Sequence, residues 1–234
     1  MFNRYVIISH NEDKTYSQFR PITEWCWNQI GWNVITLTPP ENIGIRSATY
    51  SQLQRLWGWK TVQQFDPKAL VMTGDIDMIP LSDYWHPKHD ELTVYGHDLT
   101  GYGHVPICYI AMNCETWAKV VHPTMADAIK TLPKIHSNEW SEWWQVDQDY
   151  ITERIMQYKQ HNPVTFVHRG LEASGMPLGR VDRYNWNLPT TAKIDSHLLR
   201  PITDGNNFER IYTLIESTFG TKASWMKEYY QRIK

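Results

Sequence analysis

Short β-branched runs alternate with helical stretches along the first third of the chain, and this alternation narrows the fold more than any other feature. Tyr5–Ser9 (YVIIS) reads as a buried strand that ends in the polar run His10–Lys14. Thr23–Ile30 reads as a helix, and Asn33–Leu37 (NVITL) as a second strand stopped by Pro39-Pro40. Over Ser47–Phe65 the residues Tyr50, Leu53 and Trp57 share one helical face, with Ser47 as the expected N-cap. Ala69–Thr73 (ALVMT) is the third strand. Strand, helix and strand in this order predict an α/β fold whose central sheet is mixed but mostly parallel, with helices on its faces.

The same reading extends downstream. Leu92–Tyr95, Ile107–Met112 and Pro163–His168 have strand patterns, and Gln145–Gln160 carries Val146, Tyr150, Ile151, Ile155 and Tyr158 along one helical side. Gly170–Pro201 is rich in Gly, Pro, Asn and Arg without clear periodicity, and reads as a long functional loop region. Helices over Asn207–Thr218 and Ala223–Ile233 close the chain, parted by Gly220 as the stop. With 234 residues this is the size of one domain, with a helical C-terminal tail from about residue 206.

Composition removes several function classes. The chain has 23 basic and 25 acidic residues and a net charge of -2, which argues against a nucleic-acid or membrane-surface binder. It holds no run of 18 apolar residues, so no membrane span is expected, nor a Golgi-type anchor within these residues. The N-terminus has too short an apolar run for a signal peptide and reads as the first strand. Cys26, Cys108 and Cys114, sparse and without CxxC spacing, suggest free thiols in a reducing, cytoplasmic compartment. Twelve Trp and thirteen Tyr are a large share; most are expected in the core, although such rings also stack on sugars.

The residues that carry chemistry follow the third strand, in the run Gly74-Asp75-Ile76-Asp77. Ligands of open α/β sheets bind beyond the carboxyl ends of strands. Two carboxylates one residue apart repel each other unless a positive charge lies between them. A hard divalent cation answers that need with oxygen ligands, and can neutralise charge on a leaving diphosphate. The alternative is a plain turn in which one Asp caps a backbone amide.

Further blocks sit in a telling order. Ser47–Leu53 (SATYSQL), Asp75-x-Asp77, Tyr109–Asn113 (YIAMN), Asp147-Gln148-Asp149 and His197-Leu198-Leu199-Arg200-Pro201 together resemble the glycogenin-like, family 8 glycosyltransferases of GT-A fold, over about residues 5–201. The resemblance implies that Asp75 meets the donor ribose and the metal, that Asp77 ligates it directly, and that His197 is the third protein ligand. The implied ion is manganese or magnesium, which tolerates one imidazole beside carboxylates. Gln52 stands where that family has Arg, so Arg46 or Arg55 is expected to supply the charge, Arg46 being better placed before the helix. Arg200 replaces the family's phosphate-contacting Lys.

Expected roles complete the picture. His10, Asn11 and Tyr16 can hydrogen-bond or stack on a nucleotide base, or form an ordinary polar loop. Arg46 and Arg200 suit the diphosphate by their planar forks. Asp147, Gln148 and Asp149 are the candidates for the reacting face, with Asp149 preferred; helix capping and dipole complementarity would also explain these acids. Trp143 and Trp144, after Trp140, are read as an acceptor wall, or else as rings that pack under the following helix. His104, in Gly101-Tyr102-Gly103-His104, with Arg180, Asp182 and Arg183, is read as acceptor lining. The expected partners are a nucleotide-sugar donor, UDP by resemblance, and a glycan or other hydroxyl acceptor, with retention of anomeric configuration. Two rivals remain: a metal-dependent nucleotidyltransferase or phosphohydrolase, and a non-catalytic carbohydrate-binding module.

Overall fold

The computed structural model describes residues 2–40, 46–96, 103–135 and 145–234. The strands are β1 (Arg4–Ser9), β2 (Asn33–Leu37), β3 (Leu70–Thr73), β4 (Met78–Pro80), β5 (Leu92–Tyr95), β6 (Ile110–Asn113), β7 (Val164–Val167), β8 (Arg180–Val181) and β9 (Asp195–His197). The helices are α1 (Lys14–Ser17), α2 (Arg20–Gln29), α3 (Ser47–Gln54), α4 (Trp59–Gln63), α5 (Cys114–Val120), α6 (Met125–Ile135), α7 (Val146–Lys159), α8 (Gly205–Phe219) and α9 (Trp225–Ile233). The chain divides into two compact units: Met1–Asn11, Trp32–Asp75 and His86–Gly170 make the first, and Glu12–Gly31, Ile76–Trp85 and Leu171–Lys234 the second.

The first unit is a six-stranded sheet in the order β2-β1-β3-β6-β5-β7. β1 pairs in parallel with β2 and β3, and β5 with β7, while β6 runs antiparallel to β3 and β5. The sheet is mixed and mostly parallel, as the alternation predicts. Its inner strands are covered on both faces, which is why β3 reads as an uninterrupted apolar run. Leu53, Leu56, Trp117, Val146, Tyr150 and Ile151 pack with Ile7, Val71 and Val94 in one buried cluster. Trp117 also donates Nε1–H to the Val71 carbonyl at 3.0 Å, so its one polar atom is satisfied inside the core.

Two expectations change here. The helix expected over Ser47–Phe65 is broken into α3, a 3₁₀ turn at Arg55–Trp57, and α4. The N-cap of α3 is Arg46, without a side-chain capping bond, so Ser47 is already the first helical residue. The strand expected from Ile107 begins only at Ile110, because Tyr109 has φ 75° and turns the backbone out of the extended region. Asn113 ends β6 and caps α5, its side chain accepting from the Thr116 amide at 2.8 Å.

The second unit holds a three-stranded sheet, β4-β9-β8. β9 pairs antiparallel with β4 (Met78↔His197) and parallel with β8 (Arg180↔Asp195). The stretch read as one long loop therefore supplies two strands of this sheet. They escape a periodicity search because β8 has two residues and β9 three. Asp204 caps α8 by accepting from the Asn207 amide at 2.9 Å, and Gly220 ends it at φ 71°. Phe208 of α8 stacks on Tyr230 of α9 at 4.1 Å between centroids, and Trp27 lies 6.1 Å from Trp85. Both tryptophans are fully buried, which bears out the core reading for them.

Candidate active site

In the first unit the charged residues collect around Arg55. The 3₁₀ turn after α3 directs this side chain inward, and only 6% of the residue is exposed. Nη2 donates to Asp147 Oδ2 at 2.6 Å, and Nη1 donates to Asp75 Oδ1 and, at 3.2 Å, to the Gly74 carbonyl. Burial alone lowers the Arg55 pKa, yet the charges of Asp75 and then Asp147 outweigh it and the pKa is raised. For Asp147 the balance goes the other way: burial dominates and lifts its carboxyl above the ordinary value despite Arg55. Of the two arginines proposed to replace the charge missing at Gln52, Arg55 meets the acids; Arg46 lies exposed at the head of α3. An arginine that follows Ser51, Gln52 and Gln54 reads as one more solvated polar position, so only its partners show that it is buried.

Asp147 and Asp149 both lie in the first turn of α7, whose N-cap Gln145 makes no side-chain capping bond. Asp149 Oδ1 lies 3.1 Å from His104 Nε2, so the preferred acid and a residue expected to line the acceptor side are neighbours. Gln148 donates its backbone N–H to Asp147 Oδ1 at 2.8 Å. His10 directly follows β1, buried, with Nδ1 2.7 Å from the Asn11 carbonyl, and Asn11 donates from Nδ2 to Ser47 Oγ at 3.3 Å. Trp143 and Trp144, with Gly101 and Tyr102, lie outside the described residues.

In the second unit the β4–β9 register brings Asp77 and His197 together. The Leu198 amide donates to the Asp77 carbonyl at 2.9 Å, and Asp77 Oδ2 lies 3.5 Å from His197 Nε2. The other ring nitrogen, Nδ1, lies 3.5 Å from Asp182 Oδ2. Arg183 Nη1 donates to Asp77 Oδ2 at 2.7 Å, and Arg200 Nη1 is 4.0 Å from the same oxygen. Burial pushes the Asp77 carboxyl up, but His197 and then Arg183 outweigh it and bring its pKa down to about 2. Burial lowers His197, and Asp182 and Asp77 more than reverse this, so its pKa is raised.

On sequence, Arg180, Asp182 and Arg183 are expected to line the acceptor side. Asp182 and Arg183 instead surround His197 and Asp77, while Arg180 pairs with buried Asp195 at 2.9 Å. Their spacing acquires meaning only through the pairing of β8 with β9, which no local pattern announces. Tyr16 lies under the Arg200 guanidinium at 4.8 Å, so these two nucleotide candidates meet in the second unit, whereas His10 and Asn11 belong to the first. Among the described residues no group of three or more His, Cys, Asp or Glu side chains is arranged to hold a metal ion.

No protein-family model matches the sequence, and no curated protein matches it. Solved structures do resemble the fold. A glycosyltransferase involved in the glycosylation of the major capsid of PBCV-1 aligns with a TM-score of 0.53 at 9% identity, covering 91% of this chain and 98% of that one. The apo form of the glycosyltransferase GlyE from Streptococcus pneumoniae TIGR4 aligns at 0.40 and 14% identity, over 72% of this chain and 46% of its own. A second GlyE structure gives 0.39 at 12% identity, over 71% and 45%. The first of these likenesses shows the fold, a glycosyltransferase fold of GT-A-like kind. Among the described residues no helix is long and apolar enough to cross a membrane.

Proposed function

We propose that this protein is a metal-dependent glycosyltransferase that moves a hexose from a nucleotide-diphosphate sugar, UDP being the favoured base, to a hydroxyl of a glycan or similar acceptor. The observation that carries the reading is the Asp77–His197–Asp182 chain in the second unit. A carboxylate on one imidazole nitrogen fixes the tautomer and turns the other nitrogen toward a ligand position, the usual support for a metal-binding histidine. One carboxylate oxygen and one imidazole nitrogen suit manganese or magnesium, which complete their shells with phosphate oxygens and water. Asp77 and His197 would hold the ion, and when bound it would neutralise charge on the departing diphosphate.

The chain's own side chains have separate tasks. Arg200, close to Asp77 and seated on Tyr16, would meet the diphosphate as a planar donor. In the first unit Asp75 would take the donor ribose, and His10 and Asn11 the base. Asp149, braced by His104, would face the donor sugar. Arg55 is a positioning residue: it fixes both Asp75 and Asp147 from inside the core. Positioning and electrostatic stabilisation are the main sources of rate in such displacements. The order of the sequence blocks supports a glycogenin-like relationship and, with it, retention at the anomeric carbon.

Isothermal titration with UDP, with and without manganese, tests the proposal. Manganese should be required for tight binding, and Asp77→Ala should abolish that manganese-dependent binding while circular dichroism stays unchanged. Undiminished manganese-stimulated donor hydrolysis by Asp77→Ala would refute it. Binding of free glycan without any nucleotide binding would point to a carbohydrate-binding module instead.

A further inference from the structure

Tyr184 is the most exposed large apolar side chain among the described residues, at 80%, and Leu188 and Leu171 of the same segment follow at 70% and 61%. Single exposed apolar residues need no explanation, but this concentration does. Tyr184 is held firmly although it is bare. Its backbone N–H donates to Asp182 Oδ1 at 3.0 Å, and the Asn185 amide closes the turn on the Asp182 carbonyl at 3.0 Å. Its ring stands edge-on to His197 with centroids 6.1 Å apart, and the Arg183 guanidinium lies 5.4 Å from the ring centre. Asp182 thus serves two neighbours at once, orienting His197 and fixing the turn that presents Tyr184.

The next residues continue the pattern. Tyr184-Asn185-Trp186-Asn187 alternates aromatic rings with carboxamides. Trp186 is braced by Arg210 at 5.6 Å, and Asn187 donates to the Asn185 side chain. That bond leaves an amide donor on Asn185 and an amide acceptor on Asn187. Apolar ring faces beside paired donors and acceptors match a pyranose, which offers axial C–H groups on one face and hydroxyls around its rim. A nucleobase could use the same ring and carboxamides, and the UDP arm of the experiment separates the two.

We infer that Tyr184–Asn187 is a carbohydrate-binding strip on which a pyranose of the acceptor stacks, with Tyr184 as its platform and Asn185 and Asn187 as its hydroxyl readers. The inference deepens the transferase reading by naming the acceptor as a sugar. Saturation-transfer NMR with methyl glycosides of glucose, galactose and mannose tests it, alongside calorimetry with UDP and manganese. The native protein should transfer saturation to the ring protons of at least one glycoside. Tyr184→Ala should weaken that glycoside about tenfold, while Tyr184→Phe, which keeps the ring, retains it. UDP binding should be the same in all three proteins. Unchanged glycoside binding by Tyr184→Ala, or no transfer to the native protein from any glycoside, would overturn the inference. So would a loss of UDP binding with glycoside binding intact, which would make Tyr184 a base-stacking residue. Glycoside results as expected with no UDP binding anywhere would sink the transferase reading and leave the strip standing.

Discussion

Arg55 Nη2 lies 2.6 Å from Asp147 Oδ2 with both side chains almost completely removed from solvent, at 7% and 2% exposure. The pair joins the 3₁₀ turn after α3 to the first turn of α7, and the other guanidinium nitrogen secures Asp75. Removing one member of a buried pair strands a charge, which costs about 3–5 kcal/mol, whereas replacing both by apolar groups can be neutral. Arg55→Met should therefore lower the unfolding free energy by about that amount in urea titrations. The double variant Arg55→Met/Asp147→Leu should recover most of the loss. Additive losses in the double variant would show that the two residues act independently.

Arg183 and a divalent ion would compete for the same oxygen, Asp77 Oδ2, which already accepts the Arg183 Nη1 donor at 2.7 Å. Taking the guanidinium away leaves His197 and Arg200 near that oxygen but removes its strongest hydrogen bond. If Asp77 is a metal ligand, Arg183→Gln binds manganese more tightly than the native protein, by several-fold in calorimetry. Asp77→Asn abolishes binding in either background. Weaker manganese binding by Arg183→Gln would show that the arginine supports the ion's site rather than opposing it.

The parts of the fold that were legible in sequence are those where one physical rule dominates. β3 is found close to its true bounds because a strand covered on both faces is apolar throughout, whereas β1 and the partly exposed edge strand β2 are found because their β-branched runs stop at the polar His10–Lys14 and before Pro39-Pro40. β8 and β9 are not found, since strands of two and three residues are defined by their partners and not by a pattern of their own. The late start of β6 depends on the left-handed backbone of Tyr109, a residue type that gives no warning of it. For the candidate site, the acids after β3 stand out because a carboxylate pair directly after a buried strand is costly without a partner. Arg55 is read there only as second to Arg46, and Arg183 only as acceptor lining, because a charge reads as exposed until its counter-charge is located in space. The closeness of Asp77 and His197 was suggested by resemblance alone, and in the structure it results from Met78 lying opposite His197 in the β4–β9 pairing.

Gly58 shows how tightly the first unit is packed. Its backbone is ordinary right-handed helix, so conformation does not require glycine there. Space does: a Cβ at Gly58 would sit 2.3 Å from Ile7 Cγ2 and 2.9 Å from Ile7 Cγ1, on a fully buried β1 residue. Gly58→Ala should destabilise by about 1–3 kcal/mol through overpacking. Ile7→Ala removes both clashing carbons, so adding Gly58→Ala to it should cost far less than it does in the native background. Equal costs in the two backgrounds would trace the effect to the backbone.

Glu172 secures the segment that carries the carbohydrate strip. Its carboxylate accepts from the Thr190 hydroxyl, from the Gly179 amide at 3.0 Å and from the Thr191 hydroxyl at 2.7 Å. These bonds, that from Thr190 foremost and then those from Gly179 and Thr191, hold its pKa down at about 2 against an ordinary 4.5. A carboxyl lowered by folding favours the folded chain at any pH above its unfolded value, and that advantage fades as the pH falls from about 4.5 toward 2. Glu172→Gln keeps the shape but not the charge, so it should unfold at a lower temperature than the native protein at neutral pH. The gap should narrow through the acid window and vanish near its bottom. Differential scanning fluorimetry across that window reads the effect, and a gap that stays constant with pH would mean the clasp works by shape and neutral hydrogen bonds, without its charge.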